Sequence, residues 1–366
     1  MLQSGWRVLR KDRLLTTLML SAIVLVFHLK PTGSSLVSAV DWPTIAILSA
    51  LLVLTRGLMV SGVFDAWGKS MLHHTAHLRQ LALGLVLASI LLSMLLTNDV
   101  ALFVLVPFTL GLARLARLPT AELIVLEALA VNAGSLMSPI GNPQNILLWQ
   151  QSGLSFIDFF LLMLPLGLIT CLMLLLVTWW RMRPLPIAFK PGESKIATYP
   201  RLAWRCMTLL VLFLLTVEHK LPLVGLILVI ALMGWRDWQL VVGAGWSLIL
   251  VFVLMFVNVS LLSQLGGVDQ ILQWAGDASS MSALLIAALL SQLISNVPAT
   301  MLLLESNPVS TALAFGVNAG GFGLALGSLA NLIALRMHPE PGIWRMFHYY
   351  SVPFFFVSLL IASSLV

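Results

Sequence analysis

The chain has 366 residues, 60% of them hydrophobic and only 9% charged, with a formal net charge of +6. A soluble domain carries about 25% charged residues, so the composition excludes a soluble enzyme and indicates an all-α polytopic membrane protein. Cys171 and Cys206 lie far apart, which argues against a disulfide framework or a zinc site.

The basic N-terminus, "MLQSGWRVLRKDR", precedes an apolar run, and the later "SLVSAV" is a poor cleavage site. An uncleaved first helix is therefore expected over 14–29, followed by a second over 43–62. Next comes "VFDAWGKSMLHHTAHLRQ", too polar to span. Residues 81–113 are apolar except at Thr97, Asn98 and Asp99. A helix over 120–149 is broken by "VNAGSLMSPIGNPQN", and one over 156–180 leads into a basic loop, 181–202. Helices are then expected over 203–219, 221–235 and 240–262, followed by a polar stretch, 263–280. Residues 282–304 are apolar around Ser295 and Asn296. A helix over 309–335 carries "VNAGGFGLALGSLAN", and 344–364 closes the chain.

One span needs roughly 20 residues, and 81–113 and 282–304 are each too short for two. Each is read as a re-entrant hairpin with a polar tip at mid-membrane, where irregular backbone is tolerated only inside protein or beside a water-filled cavity. This gives nine membrane crossings, two re-entrant hairpins and two broken helices. With a cytoplasmic N-terminus, nearly all Lys and Arg fall on the cytoplasmic side, in 1–13, 63–80, 114–120, 181–205, 236–239 and 336–345. Only Lys30 and Lys220 fall outside, and Arg56 lies in the inner half of the second helix.

The two halves match in order. Trp42 parallels Trp246, Asp65 parallels Asp269, and "TNDVA" parallels "SNVPA", pairing Asn98 with Asn296. Asn132 pairs with Asn318, Gly141 with Gly327, and Asn145 with Asn331. Five expected crossings separate Trp42 from Trp246, so the second copy is inverted in the membrane. Inverted repeats with broken helices and polar midplane motifs mark secondary transporters. A hairpin tip and a helix break expose both helix N-termini, with free N–H groups, and carbonyls that can ligate a cation. Gly134, Gly141, Gly320 and Gly327 let the backbone turn, and Pro139 and Pro143 stop the helix. Asn, Ser and Thr add neutral ligands, which suit sodium and a small polar or anionic solute. The candidate binding residues are Thr97, Asn98, Asp99, Asn132, Ser135, Ser138, Gly141, Asn142 and Asn145 in the first repeat. Those of the second are Ser295, Asn296, Thr300, Asn318, Gly320, Gly327, Ser328 and Asn331.

"LLTNDVALFVLVPFTL", "NAGSLMSPIGNPQN", "ISNVPATMLL" and "GSLANLIALR" resemble the ion transporter superfamily. That group comprises divalent anion/sodium symporters, citrate transporters, arsenite permeases and one class of sodium/proton antiporters. Within it the chain looks most like the YbiR family of bacterial inner-membrane proteins. The resemblance covers nearly the whole chain. It implies a scaffold that dimerises, here 1–80 and 203–280, and a transport domain that moves as an elevator, here 81–202 and 281–366. It also implies an inner-membrane location and a sodium or proton as coupling ion. The symporters' Ser-Asn-Thr tips read Thr97-Asn98-Asp99 and Ser295-Asn296-Val297 here. The first tip is nearer the arsenite-permease pattern, so carboxylate specificity does not carry over.

Blander readings stand beside these. Asn98 and Asn296 can be helix caps, and Asn132 and Asn318 can simply satisfy backbone at the breaks. Asp99 is either a coupling carboxylate or the cap of a leg starting at Val100. Glu127 is either a second coupling carboxylate or a partner for a neighbouring break. His73 and His77 share a helix face, but an interfacial helix explains them better than a transition-metal pair. No nucleophile motif is visible, so an enzyme is disfavoured. Neither a cofactor nor a nucleic-acid partner is expected. The reading is a cation-coupled transporter of a small, anionic solute, with arsenite-type efflux or sodium/proton exchange as alternatives.

The inverted topology predicts labelling from opposite faces for single cysteines placed at Ser70 and Ser279, in a chain lacking Cys171 and Cys206. Labelling of both from one face would refute it.

Overall fold

The computed structural model describes residues 13–64, 66, 75–188, 198–219, 221–265, 279–304 and 310–366. Asp65, Asp269, His73 and Ser70 lie outside the described residues. The first half contains α1 (Arg13–Leu29), α2 (Gly33–Ser38), α3 (Trp42–Val60), α4 (Leu78–Leu95) and α5 (Asn98–Leu115). It continues with α6 (Thr120–Ser135), α7 (Pro143–Ser152) and α8 (Phe156–Arg181). The second half contains α9 (Pro200–Glu218), α10 (Pro222–Val242), α11 (Ser247–Leu262), α12 (Ser280–Ile294) and α13 (Asn296–Leu304). It ends with α14 (Thr311–Ala319), a 3-10 turn (Ala325–Gly327), α15 (Leu329–Met337) and α16 (Ile343–Ser364). The described residues form no strand, only an isolated bridge between His77 and Pro186.

Seven described helices are long and apolar enough to cross a membrane: α3, α4, α5, α8, α9, α10 and α16. They include both legs of the first hairpin, each longer than the 81–113 stretch implied. The helical region is 78–115, and each leg has 18 residues, about 27 Å at 1.5 Å per residue. That is close to the roughly 30 Å of the hydrocarbon core. Polar residues can open α4 because Arg79 Nε donates to the Met182 carbonyl at 2.8 Å and its guanidinium lies 4.7 Å from the Trp179 ring centre. Of the second hairpin the described residues include α12, of 15 residues, and 9 residues of α13. The loop expected at 236–239 is instead helical within α10, with a kink at Asp237 (φ −137°, ψ 54°). Asp237 bends out of helical geometry while paired with Arg205 of α9.

Two compact units divide the chain. The first is Met1–Leu58 with Arg201–Ile271, and the second is Met59–Pro200 with Leu272–Val366. Within the first unit α11 packs on α1, where Asn258 Nδ2 donates to the Leu18 carbonyl at 3.0 Å. Trp42 and Trp246 sit alike: each indole donates to the carbonyl five residues earlier, Val37 at 2.9 Å and Val241 at 2.8 Å.

Within the second unit the repeats pack alike. The first hairpin leg lies on the first half of the broken helix, α4 on α6 and α12 on α14. The second legs cross over: α5 packs on α15 of the other repeat, and α13 on α7. Close approach of α4 and α6 depends on Gly134. A Cβ there would sit 2.3 Å from the Ile90 carbonyl oxygen and 2.5 Å from Ser93 Oγ. Its counterpart Gly320 lies under Ser291, whose Cβ would be 2.5 Å away. Small residues at a crossing let membrane helices meet backbone to backbone.

Gly134→Ala must therefore push α4 off α6, an overpacking cost of about 1–3 kcal/mol. Gly33→Ala meets nothing within 4 Å. The purified protein should melt clearly lower with Gly134→Ala and unchanged with Gly33→Ala; equal melting contradicts the close crossing.

Candidate functional site

Both VNAG motifs interrupt helices. In the first repeat α6 ends at Ser135, and the chain doubles back before α7. A Cβ on Gly141 would lie 2.3 Å from the Ser135 carbonyl oxygen, so only glycine fits the return. Gly327 has the same role: its Cβ would lie 2.5 Å from the Gly320 carbonyl oxygen. Carbonyls freed by the break need donors, because buried backbone is almost always paired. Asn145 supplies them in repeat 1: its Nδ2 donates to the carbonyls of Ser135 (3.3 Å), Leu136 (2.9 Å) and Ser138 (3.0 Å). Asn142 caps α7 by accepting the Asn145 N–H at 2.8 Å. In repeat 2, Asn331 Nδ2 donates to the Gly321 carbonyl at 3.0 Å.

The two breaks are then tied to each other by reciprocal side-chain bonds. Asn132 Nδ2 donates to Asn331 Oδ1 at 2.8 Å, and Asn318 Nδ2 donates to Asn145 Oδ1 at 2.7 Å. Asn142 Nδ2 donates to Asn318 Oδ1 at 3.3 Å, and Ser328 Oγ donates to Asn132 Oδ1 at 2.9 Å. Asn132 and Asn318 also each donate to a carbonyl four residues earlier, at 3.1 and 2.9 Å. The second, twelfth and fifteenth positions of one motif thus bond the same partners as those of the other. All six side chains are buried, none more than 5% exposed.

Both hairpin tips reach this cage. Asn98 Nδ2 donates to Asn132 Oδ1 at 3.4 Å, and the Asn98 N–H donates to the Gly141 carbonyl at 2.8 Å. A Cβ on Gly321 would lie 3.5 Å from Asn296 Nδ2 and 3.8 Å from Asn132 Oδ1, so the second tip points to the same spot. Each tip asparagine accepts the following N–H at 2.9 Å. The tips differ elsewhere. Thr97 caps α5 by accepting the Val100 N–H at 3.4 Å, so Asp99 is not the cap. It lies in the first turn, buried, with Oδ1 unpartnered. The equivalent of Thr97, Ser295, adopts φ 75° and ψ 153°, a region that costs a non-glycine residue about 1–3 kcal/mol. Asn296 Nδ2 is buried without a partner. One tip offers a spare acceptor, the other a spare donor.

The remaining candidates are peripheral. Thr300 Oγ1 donates back to the Asn296 carbonyl at 2.7 Å. Ser135 Oγ donates to the Asn132 carbonyl at 3.3 Å and accepts from Asn142 Nδ2 at 3.3 Å. Ser138 accepts the Ile140 N–H at 3.4 Å. Glu127 is fully buried on α6 and, among the described residues, bonds only Thr109 of α5. Gln292 joins the second break although neither repeated motif contains it. Its Nε2 donates to the carbonyls of Gly320 (2.6 Å) and Phe322 (2.9 Å), and its Oε1 accepts the Leu324 N–H at 2.6 Å. A lone amide in the apolar leg "LLIAALLSQLI" was the available signal.

Chemically the cage is a neutral set of amide and hydroxyl groups. No Lys or Arg occurs in 80–113, 120–152, 280–304 or 311–335. Asp99 is the one formal charge at either tip. Such a set can hold a desolvated cation by its oxygens and an oxygen-rich solute by its N–H groups.

The citrate transporter family model (CitMHS) matches residues 6–307. Inner membrane protein YbiR of Escherichia coli is 46% identical over 347 residues, covering 95% of this chain and 93% of that protein. Transporter MJ0456 of Methanocaldococcus jannaschii is 31% identical, over 81% of each chain. Silicon efflux transporter LSI3 of Oryza sativa is 34% identical over 163 residues, 43% of this chain and 33% of its own length. With a family match over most of its length and a relative aligned nearly end to end, the chain belongs to the citrate transporter family of membrane transporters.

Proposed function

We propose that the chain is a cation-coupled secondary transporter of a small, oxygen-rich solute, located in a bacterial inner membrane with its N-terminus cytoplasmic. The observation that carries this reading is the reciprocal bonding of Asn132 and Asn145 with Asn331 and Asn318, with both hairpin tips converging on it. Two inverted halves meeting at a polar midplane site are how alternating access is built in secondary transporters. Sodium sits at the first tip against Asp99 Oδ1 and the cage oxygens, and a second cation site lies at the second tip. The unit holding the cage moves as an elevator against a dimeric scaffold formed by the first unit. An anionic solute meets no cationic side chain from the four segments that build the cage. Its charge is offset by the bound cations and by helix N-termini.

The same lack of cationic side chains favours a second reading, an uncharged oxyacid as solute. The partial likeness to a silicon efflux transporter adds to it. Asp99 Oδ1 would accept from a solute hydroxyl, and Asn296 Nδ2 would donate to a solute oxygen.

Proteoliposomes loaded with potassium and given an inward sodium gradient should accumulate one member of a panel of citrate, succinate, orthosilicic acid and arsenous acid. No gradient-driven movement of any solute in either direction would contradict the reading. Asn98→Ala and Asn296→Ala should each weaken the stabilisation by sodium at least about tenfold in concentration, or about 1.4 kcal/mol. Unchanged sodium dependence in both removes the tips from the cation site. Asp99→Asn keeps the shape and removes the charge. It should flatten the pH profile of uptake and weaken sodium affinity, and a parental profile with parental affinity would make Asp99 a bystander.

A further inference from the structure

Glu127 is the second buried carboxyl of the unit and takes no part in the cage. It lies five residues before Asn132 on α6, about 7.5 Å along the helix axis, with no exposed surface. The Thr109 hydroxyl, on α5, donates to Oε1. Oε2 is buried and has no partner. An ionised carboxylate accepts about four hydrogen bonds, and Glu127 has one.

No countercharge comes from the helices packed on α6, which are α4, α5, α8, α15 and α16. Arg79 on α4 binds the Met182 carbonyl. On α5, Asp99 is ten residues from Thr109, about 15 Å along the helix, and Arg114 is exposed near the helix end. On α8, Arg181 pairs with Glu122 of α6 and with Tyr350 of α16. Asp158 there caps with Ser155, and Cys171 is a free, buried cysteine. Arg336 closes α15. On α16, His348 faces the second break, accepting the Ala325 N–H through Nε2 at 3.3 Å. Arg345 and Tyr349 are exposed. Among the described residues none of these bonds Glu127. A bare carboxylate in that position is expensive, whereas a carboxylic acid carrying its proton on Oε2 is not.

We propose that Glu127 is a proton-binding site separate from the tips, and that its proton holds the helix of the first tip against the helix of Asn132. The pair Glu127–Thr109 joins α5, whose N-terminus is the Thr97–Asp99 tip, to α6, which carries Asn132 into the cage. Proton loss leaves an uncompensated charge between the two helices and can proceed only where water reaches Oε2. Proton binding therefore favours the packed α5–α6 pair, and proton release favours its opening. The proton comes from water and returns to water, and no other reactant is involved. The repeat-2 counterpart of Glu127 is Leu313, so the device exists on one side of the pseudo-symmetry only.

Infrared spectroscopy of the purified protein in liposomes tests this without any solute. The parent should show a protonated-carboxyl carbonyl band that is lost in Glu127→Gln, shifted in Thr109→Val and kept in Asp99→Asn. The band should fade as pH is raised, because only the protonated carboxyl gives it. If Glu127→Gln does not fold, the band moved by Thr109→Val and kept in Asp99→Asn carries the assignment. Absence of any band sensitive to Glu127→Gln or Thr109→Val overturns the proposal. So does a band that ignores pH, since its proton would never leave. Failure of the transport reading would appear in the uptake assay and leave this band unaffected.

Discussion

A helix that stops inside a membrane leaves amide and carbonyl groups that no water can satisfy and that cost several kcal/mol each if unpaired. This chain stops two helices with their ends buried, and most of what is distinctive in its second unit answers the same constraint. Asn145 alone covers three carbonyls of the first break. Its own carbonyl oxygen is then used by Asn318 of the other repeat. Backbone satisfaction and the joining of the two repeats are thus carried by the same side chains. A change at one asparagine strips partners from both breaks, leaving buried groups at about 1–3 kcal/mol each.

The pseudo-symmetry fails in an informative pattern. Repeat 1 holds both buried carboxyls, Asp99 and Glu127, where repeat 2 has Val297 and Leu313. Repeat 2 holds instead the strained Ser295 and a break secured by Gln292 and by His348 of α16. The buried carboxyls are therefore concentrated on one tip and its supporting helix. The other tip is a neutral donor on a backbone that stores strain. Two unlike halves thus meet around one cage.

Much of this was legible in the sequence because the polar residues stand alone in apolar surroundings. Asn132, Asn145, Asn318 and Asn331 were marked by the repeated VNAG motif, and the tips by TND and SN. The pairing between motifs was not legible, since contacts over 173 to 199 residues depend on how the halves cross. Gln292 was overlooked because its repeat-1 equivalent is Met94, so the repeat gave no hint of it. The first hairpin was drawn short because Arg79 and Gln80 looked like a polar loop. Packing of Arg79 on Trp179 lets them open a helix. The RDWQ segment misled for the same reason: Arg205 holds Asp237 within a kinked helix.

The central claim is that the two tips and the two breaks form one cation-dependent site. Hydrogen exchange of the protein in liposomes, with sodium chloride against N-methylglucamine chloride, measures this directly. Sodium should slow exchange in 97–101, 136–145, 295–300 and 320–331 together, and leave the first unit unchanged. Protection that is absent from these segments, or spread evenly over the whole chain, would contradict it.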